Sequence, residues 1–463
     1  MKRTLIIKSK SQTRILHRSK LFWLSTDTNT IILNFLENTD AMNYIDIIKP
    51  KSLKGFTLNI NTFLTSRILD NIFSLVKLET LNMNGYNTKF ILDNVSKLTN
   101  LKQLTLLGKD HSSTNIDIRA ILSLTKLKEL SLSKCGTIYQ GEEISFSNLF
   151  QLTSLSLNGD YGSYLTNFSK KLVLPQLVNL TLNNFILSDV FSHLSNLVYL
   201  DVSSSYMTSF VFDTICSMTN LRSLSFSHNR SMPFHLPPNL ISLKIDTILF
   251  MDATSLGELN HLTILNITTL NDIMLDHISA FPSLRTFVYK GNRCPILTVK
   301  LPSITNLDIC CNNLDIFNFV NVSNLIGLKI NPSTIPLLTT LSIRASYKAN
   351  INSSLISLCS LKSLKLEGFP ISKGSWLLIS TMTQLTSLNL DKTYHTHSDM
   401  SFILPLTNLT KLSLHNKDID NTQLISLSCL TKLEELNIIG NLKITRQAVA
   451  TLSRLKKVYT NSF

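Results

Sequence analysis

Charge is scarce in this chain: Asp, Glu, Lys and Arg make up only 16% of 463 residues, against 44% hydrophobic. That balance excludes an extended, self-repelling disordered chain and favours one that folds. Cysteine is sparse as well. The seven, Cys135, Cys216, Cys294, Cys310, Cys311, Cys359 and Cys429, are odd in number and scattered, so they supply no disulfide framework, and Cys310-Cys311 lacks the Cys-x-x-Cys spacing of a zinc site. They read as reduced, buried thiols of an intracellular protein. Thirteen glycines form no Gly-rich phosphate loop. Long apolar runs are missing too: Leu5-Ile6-Ile7 is cut off by Lys8, which leaves no signal peptide, and no later stretch approaches the length of a membrane span. The expected location is therefore intracellular, in cytoplasm or nucleus, and sequons such as those at Asn94, Asn179 and Asn408 read as chance in a chain rich in Asn, Ser and Thr.

Catalytic constellations are also lacking. An enzyme needs titratable side chains converging on one cleft, and none is apparent in the sequence. His395 and His397 with Asp399 nearby give at most two metal ligands from one strand, so they read as an exposed polar loop. No cofactor and no metal is expected.

What the chain has is a recurring spacing. Leu409-Thr-Lys-Leu-Ser-Leu414 places apolar residues at the first, fourth and sixth positions, and Leu127 to Cys135 and Leu433 to Asn441 extend the pattern to a Cys or Asn at the ninth. Alternate strand residues face opposite ways, so the fourth and sixth side chains enter one core while the residue between them faces out. These residues resemble the leucine-rich-repeat family. The resemblance implies an α/β solenoid, or horseshoe, with a concave parallel β-sheet and convex short helices or extended segments. It also implies that a ninth-position Asn or Cys hydrogen-bonds the turn leaving the strand. Cys135, Asn229, Asn292, Asn312 and Asn441 match that position, and most other repeats depart from it.

Repeats begin at Leu53, Leu78, Leu101, Leu127, Leu152, Leu177, Leu197 and Leu221, then at Leu240, Leu262, Leu284, Ile304, Leu325 and Leu338, and finally at Leu361, Leu385, Leu409, Leu433 and Leu455. The three steps from Leu361 to Leu433 are 24 residues each, room for a short convex helix, and Gln447 to Leu452 has the spacing of one. The step of 13 from Leu325 to Leu338 is too short for a whole repeat, so one of the two starts is spurious or that repeat is irregular. Eight of the 12 prolines lie between Pro233 and Pro336, where the steps shorten, so the convex segments there are expected to be extended. The side chains between the fourth and sixth positions should line the concave face. Ser131, Ser156, Asp201 and Ser225, with Tyr199 beside them, are the candidate partner-binding residues of the first half. Lys244, Asp308, Lys329, Lys365, Asn389 and Ser413 are those of the second half. Small uncharged groups dominate this face, which suits contact rather than proton transfer, and Ser413→Ala is expected to be almost neutral. Nucleic-acid binding by the face is not expected, since it carries few basic residues and almost no aromatic ones.

The N-terminus differs. Residues 1–26 hold seven bases and no acid, which fits a solvated arm, a targeting segment, or a contact with nucleic acid or anionic lipid. Residues 27–50 read as a helical pair: Asp27 and Asp40 as N-caps, Thr28 to Leu36 and Ala41 to Lys49 as helices, Pro50 as the stop. Leu24, Asp27, Ile32, Leu33, Phe35, Leu36 and Asp40 resemble the F-box pattern, with Ser25 in place of its proline and without its later Trp. That resemblance implies a Skp1-type adaptor as partner and a ubiquitin ligase as destination. The same pair would also serve as a helical cap on the first strand. Residues 51–463 form the repeat array. The expected function is non-enzymatic capture of a protein partner, with or without the ubiquitin link; binding of nucleic acid or an anionic surface through the basic arm is the alternative of another class.

Overall fold

The computed structural model describes residues 3–8, 28–35, 53–60, 66–85, 88–108, 115–116, 118–135, 137–138, 146–158, 173–187, 191–227, 235–248, 259–269, 281–291, 303–311, 336–345, 358–368, 370–371, 373–391, 393–395 and 400–460. The chain divides into two compact units, Met1–Ser227 with Phe234–Pro237, and His228–Pro233 with Pro238–Phe463.

In both units each repeat contributes one short strand, and neighbouring strands pair in parallel and in register. In the first unit Leu81, Leu104, Leu130, Leu155, Leu180, Leu200 and Leu224 stand side by side. In the second, Leu243, Leu265, Phe287, Leu307, Leu341, Leu364, Leu388, Leu412 and Leu436 do the same. These fourth-position residues, with the first and the sixth, form the core: Leu101, Leu104 and Leu106 are at most 1% exposed. A single strand has no such interior. Burial comes only from stacking one repeat on the next, and at about 25 cal/mol per Å² of apolar surface it is the main stabilising contribution. The fold is the α/β leucine-rich-repeat solenoid expected from the spacing.

The return segments include short helices, Ser66–Phe73, Thr88–Asn94 and Ser209–Cys216 in the first unit and Lys373–Ser380, Asn421–Ser426 and Arg446–Ala450 in the second. The last lies where Gln447 to Leu452 suggested a helix. Asn421–Ser426 starts from a capping box in which Asp420 accepts from the Gln423 backbone and Gln423 from the Asp420 backbone. Two-residue strands add a second layer of pairing outside the main sheet, Ile186–Leu187 with Tyr206–Met207 and Pro370–Ile371 with Tyr394–His395 among them. The extended convex segments expected in the proline-rich middle lie outside the described residues.

The N-terminal reading needs correction. Thr28–Phe35 is a strand, not a helix; it pairs in parallel with Arg3–Lys8 on one side and Gly55–Ile60 on the other. Thr30 stands opposite Gly55, a full repeat of 25 residues away, so stacking outweighs the local N-cap signal of Asp27. The β-branched run Thr30-Ile31-Ile32 suits a strand in any case. The array therefore begins before Leu53, and part of the basic segment, Arg3–Lys8, is itself sheet. Ile32, Leu33 and Phe35 of the F-box-like pattern sit on that strand. Leu24, Asp27, Leu36 and Asp40, and the expected second helix from Ala41 to Lys49, lie outside the described residues. In the second unit Asn306–Cys311 pairs directly with Thr340–Ala345. Leu338 is therefore the repeat start that follows Ile304 in the sheet, and Leu325 lies outside the described residues.

Candidate partner-binding face

The residues between the fourth and sixth positions form one row per unit on the side of the sheet away from the core. In the first unit the row runs Thr57, Asn82, Thr105, Ser131, Ser156, Thr181, Asp201, Ser225. In the second it runs from Lys244 through Asn266, Val288, Asp308, Ser342, Lys365, Asn389 and Ser413 to Asn437 and Tyr459. The structure thus brings Ser131, Ser156, Asp201 and Ser225 together, and does the same for Lys244, Asp308, Lys365, Asn389 and Ser413. Tyr199 lies two residues before Asp201 on the same strand face. Lys329 lies outside the described residues. Most of the row is half-buried, because neighbouring strands in a sheet are only about 4.8 Å apart and small side chains shade one another.

The two faces differ in chemistry. The first is nearly uncharged and rich in oxygen acceptors. Asn82, Asn84, Asn158 and Asn183 each bury a side-chain carbonyl oxygen without a partner, and Ser203 its hydroxyl oxygen. All five sit at outward strand positions or just past the strand end. An unpaired buried acceptor costs about 1–3 kcal/mol. Asp201 organises this end of the face: its carboxylate accepts from the Ser203 backbone at 3.0 Å. Burial, followed by the Asp201 charge, raises the Tyr199 phenol above its usual range.

The second face carries more charge, much of it paired internally, and Asn266 in its row also buries a side-chain oxygen without a partner. Lys244 meets Asp246 at 2.9 Å, and Glu367 is shared by Arg344 at 3.0 Å and Lys365 at 3.3 Å. Ser413 is not the free hydroxyl its spacing suggested. It donates to Asp391 at 2.6 Å and accepts from the Asn437 amide at 2.9 Å, while Asp391 also holds the His415 backbone N–H at 3.0 Å and the Asn389 amide at 3.1 Å. Asp391 was missed because its role is to bind neighbours across repeats, which no spacing within one repeat reveals.

The ninth position was also underread. Cys135 donates to the Leu106 and Ser133 carbonyls, and Asn441 donates to Leu414 and Ile438 while accepting from the Lys417 and Ile419 backbones, as the family pattern implied. Ser205 and Thr393 do the same work with hydroxyls: Ser205 bridges the Leu182 carbonyl and the Phe185 N–H, and Thr393 donates to Leu390 at 2.9 Å. Lys417 occupies the same place in its repeat and donates to the Thr393 carbonyl and hydroxyl. In these repeats a donor with the right reach bonds the turn in place of Asn. Asn229, Asn292 and Asn312 lie outside the described residues.

The cysteines divide. Cys135 is buried, but Cys359 and Cys429 are exposed, contrary to the expectation of buried thiols, because they lie in the corners leading into a strand rather than in the core. Cys135, Cys216, Cys310, Cys359 and Cys429 form no disulfide, and burial, with a smaller contribution from the Asp213 charge, pushes the Cys216 thiol up to about 12, which keeps it protonated. Among the described residues no group of three or more His, Cys, Asp or Glu could hold a metal ion. His395 belongs to a two-residue strand; His397 and Asp399 lie outside the described residues. No helix of the described residues is long and apolar enough to cross a membrane.

No family model matches the chain. Among curated proteins, Receptor-like protein 41 of Arabidopsis thaliana is 30% identical over 160 residues, 34% of this chain, and the chain spans only 18% of that relative's length. Among solved structures, a leucine-rich-repeat protein of Leptospira interrogans covers 95% of this chain and 97% of its own at 18% identity, with a TM-score of 0.37. An internalin of Listeria monocytogenes covers 84% and 82% at 20% identity and a TM-score of 0.29. The TLR13–ssRNA13 complex covers 94% and 64% at 15% identity and a TM-score of 0.47.

Proposed function

We propose that this leucine-rich-repeat chain is a non-enzymatic binding protein that captures a protein partner on the outward face of its parallel sheet. The observation that carries the proposal is the registered row of small polar side chains from Thr57 to Ser225, bordered by unpaired buried acceptors on Asn158, Asn183 and Ser203. Such a row offers many modest hydrogen bonds and no concentrated reactive group, which suits recognition over an extended surface. The finer role implied by the F-box resemblance, passing the partner to a ubiquitin ligase through a Skp1-type adaptor, would need the apolar helix that the strand Thr28–Phe35 replaces. The proposal therefore stops at capture.

Large basic substitutions in the row test it. The tagged chain is used to isolate a partner from cell extract, and the affinity of the purified pair is then measured for the wild type, Ser156→Arg and Asn389→Arg. An arginine on either face should weaken binding at least tenfold if the partner lies across it, with circular dichroism unchanged for both variants and melting temperature unchanged for Ser156→Arg; Asn389→Arg also removes the amide that Asp391 holds and should melt somewhat lower. Equal affinity for all three proteins would place the partner elsewhere on the molecule.

A further inference from the structure

The described ninth-position residues that hydrogen-bond the turns are neutral in Cys135, Ser205, Thr393 and Asn441, but the Leu409 repeat puts a lysine there. Lys417 is only 7% exposed. Its amine donates to the backbone carbonyl and the hydroxyl of Thr393, itself 3% exposed, and no carboxylate is among its hydrogen-bond partners. Its own N–H is held by Asn441 at 2.9 Å, and the residues on either side, Asn416 and Asp418, both adopt left-handed backbone conformations, with φ of 56° and 54°. Asn and Asp are the non-glycine residues that adopt this conformation most readily, so the backbone turns tightly on both sides of the buried side chain.

We propose that Lys417 makes the His415–Asp420 loop a proton-operated latch, closed over the turn ladder while the amine is neutral and released when the amine takes a proton and moves to water. An ammonium in this position is poorly supported because Thr393 offers it only neutral oxygens. The titratable and charged groups on the neighbouring segments are Asp391 from the preceding repeat, whose charge acts on the amine, His415, Asp418 and Asp420 on its own loop, and Lys443 from the following repeat, which Asp418 engages at 2.9 Å. Burial lowers the Lys417 amine to about 7 from an ordinary value of 10.5, and the Asp391 charge offsets only part of that.

The sign follows from linkage. A folded-state value below the open-state one means that the open loop binds more protons between the two values, so closure is favoured as pH rises through this window and is weakened as pH falls to about 7. With these two values the opening equilibrium should rise about fiftyfold between pH 9 and pH 7 and change little further below pH 6. The same loop carries the His415 N–H that Asp391 accepts, and Asp391 also holds Ser413 and Asn389. Opening would thus loosen the outward face of these repeats.

The test is hydrogen exchange of the full chain from pH 6 to pH 9, followed by mass spectrometry on peptides covering residues 414–420 and corrected for the intrinsic pH dependence of exchange. His395→Gln and His415→Gln form the background, which removes the imidazoles of the two segments that carry Thr393 and Lys417. The opening equilibrium should rise about fiftyfold from pH 9 to pH 7 in this background and stay flat when Lys417→Met is added. Lys417→Gln, which keeps a polar group in the ladder, should also be flat and serves if the methionine variant fails to fold. A flat response with Lys417 present, or the same rise without it, would overturn the latch. Neither result depends on a partner, so capture by the sheet face stands or falls separately.

Discussion

Leu412 and Ser413 are adjacent and face opposite sides of the same strand. Leu412 is 2% exposed between Leu388 and Leu436, so Leu412→Ala should cost about 2–5 kcal/mol through lost transfer energy and the cavity left behind. From its spacing alone Ser413 would be almost neutral to remove. Its hydroxyl, however, donates to a carboxylate at 2.6 Å and anchors Asn437, and a hydrogen bond to a charged group is worth about 1.5–3 kcal/mol. Half-burial keeps the expected cost of Ser413→Ala near the lower end, about 1.5 kcal/mol, and the shift in denaturation midpoint at constant slope measures both variants. A Ser413→Ala change below about 0.5 kcal/mol would mean that Asp391 finds water instead.

At the scale of the element, two kinds of side-chain hydrogen bond join neighbouring repeats among the described residues, and burial decides which one matters. On the exposed corner, Asn100, Asn196, Asn220 and Asn408 each stand just before the first leucine of a repeat and donate to the corner carbonyl of the preceding repeat, as in Asn408 to Thr383 at 2.9 Å. Water replaces such a bond readily, so Asn408→Ala should cost less than about 1 kcal/mol. Asn441, 3% exposed, makes four bonds that water cannot reach. Its loss leaves several buried groups unpaired at about 1–3 kcal/mol each, so Asn441→Ala should cost about 3 kcal/mol or more. Thermal melts of the two variants side by side check the contrast, and equal shifts would refute it. Gly440 belongs to the same turn: its φ is 82°, and an added Cβ would lie 1.6 Å from the Asn416 side-chain oxygen, so any side chain there opens the turn.

Among the described residues the strands of the main sheet pair with those of adjacent repeats within each unit, so stability should behave as a chain of local blocks. Leu412→Ala is therefore expected to raise amide exchange across residues 385–440 while leaving residues 80–180 as protected as in the wild type. A uniform loss of protection would show that the array unfolds as one cooperative body. Charge follows the same neighbour rule. Glu79 is held between Lys102 and Lys54, whose hydrogen bonds bring its carboxyl down to about 2. The support this pairing gives is complete above the ordinary carboxylate range and is lost as pH falls towards 2.

The sequence alone determined the repeat, because a spacing of first, fourth and sixth apolar residues has few other uses: it named the buried leucines, the outward row, and the helix before the last strand. It also fixed Leu338 or Leu325 as a doubtful start. Tertiary structure decided what a single repeat cannot encode. The strand at Thr28–Phe35 forms because sheets stand ready on both sides, overriding an N-cap signal that spans only a few residues. Asp391, Thr393 and Lys417 also bond between repeats, where residues about 24 positions apart come within hydrogen-bond reach. Stacking makes those contacts, and no pattern read within one period contains them.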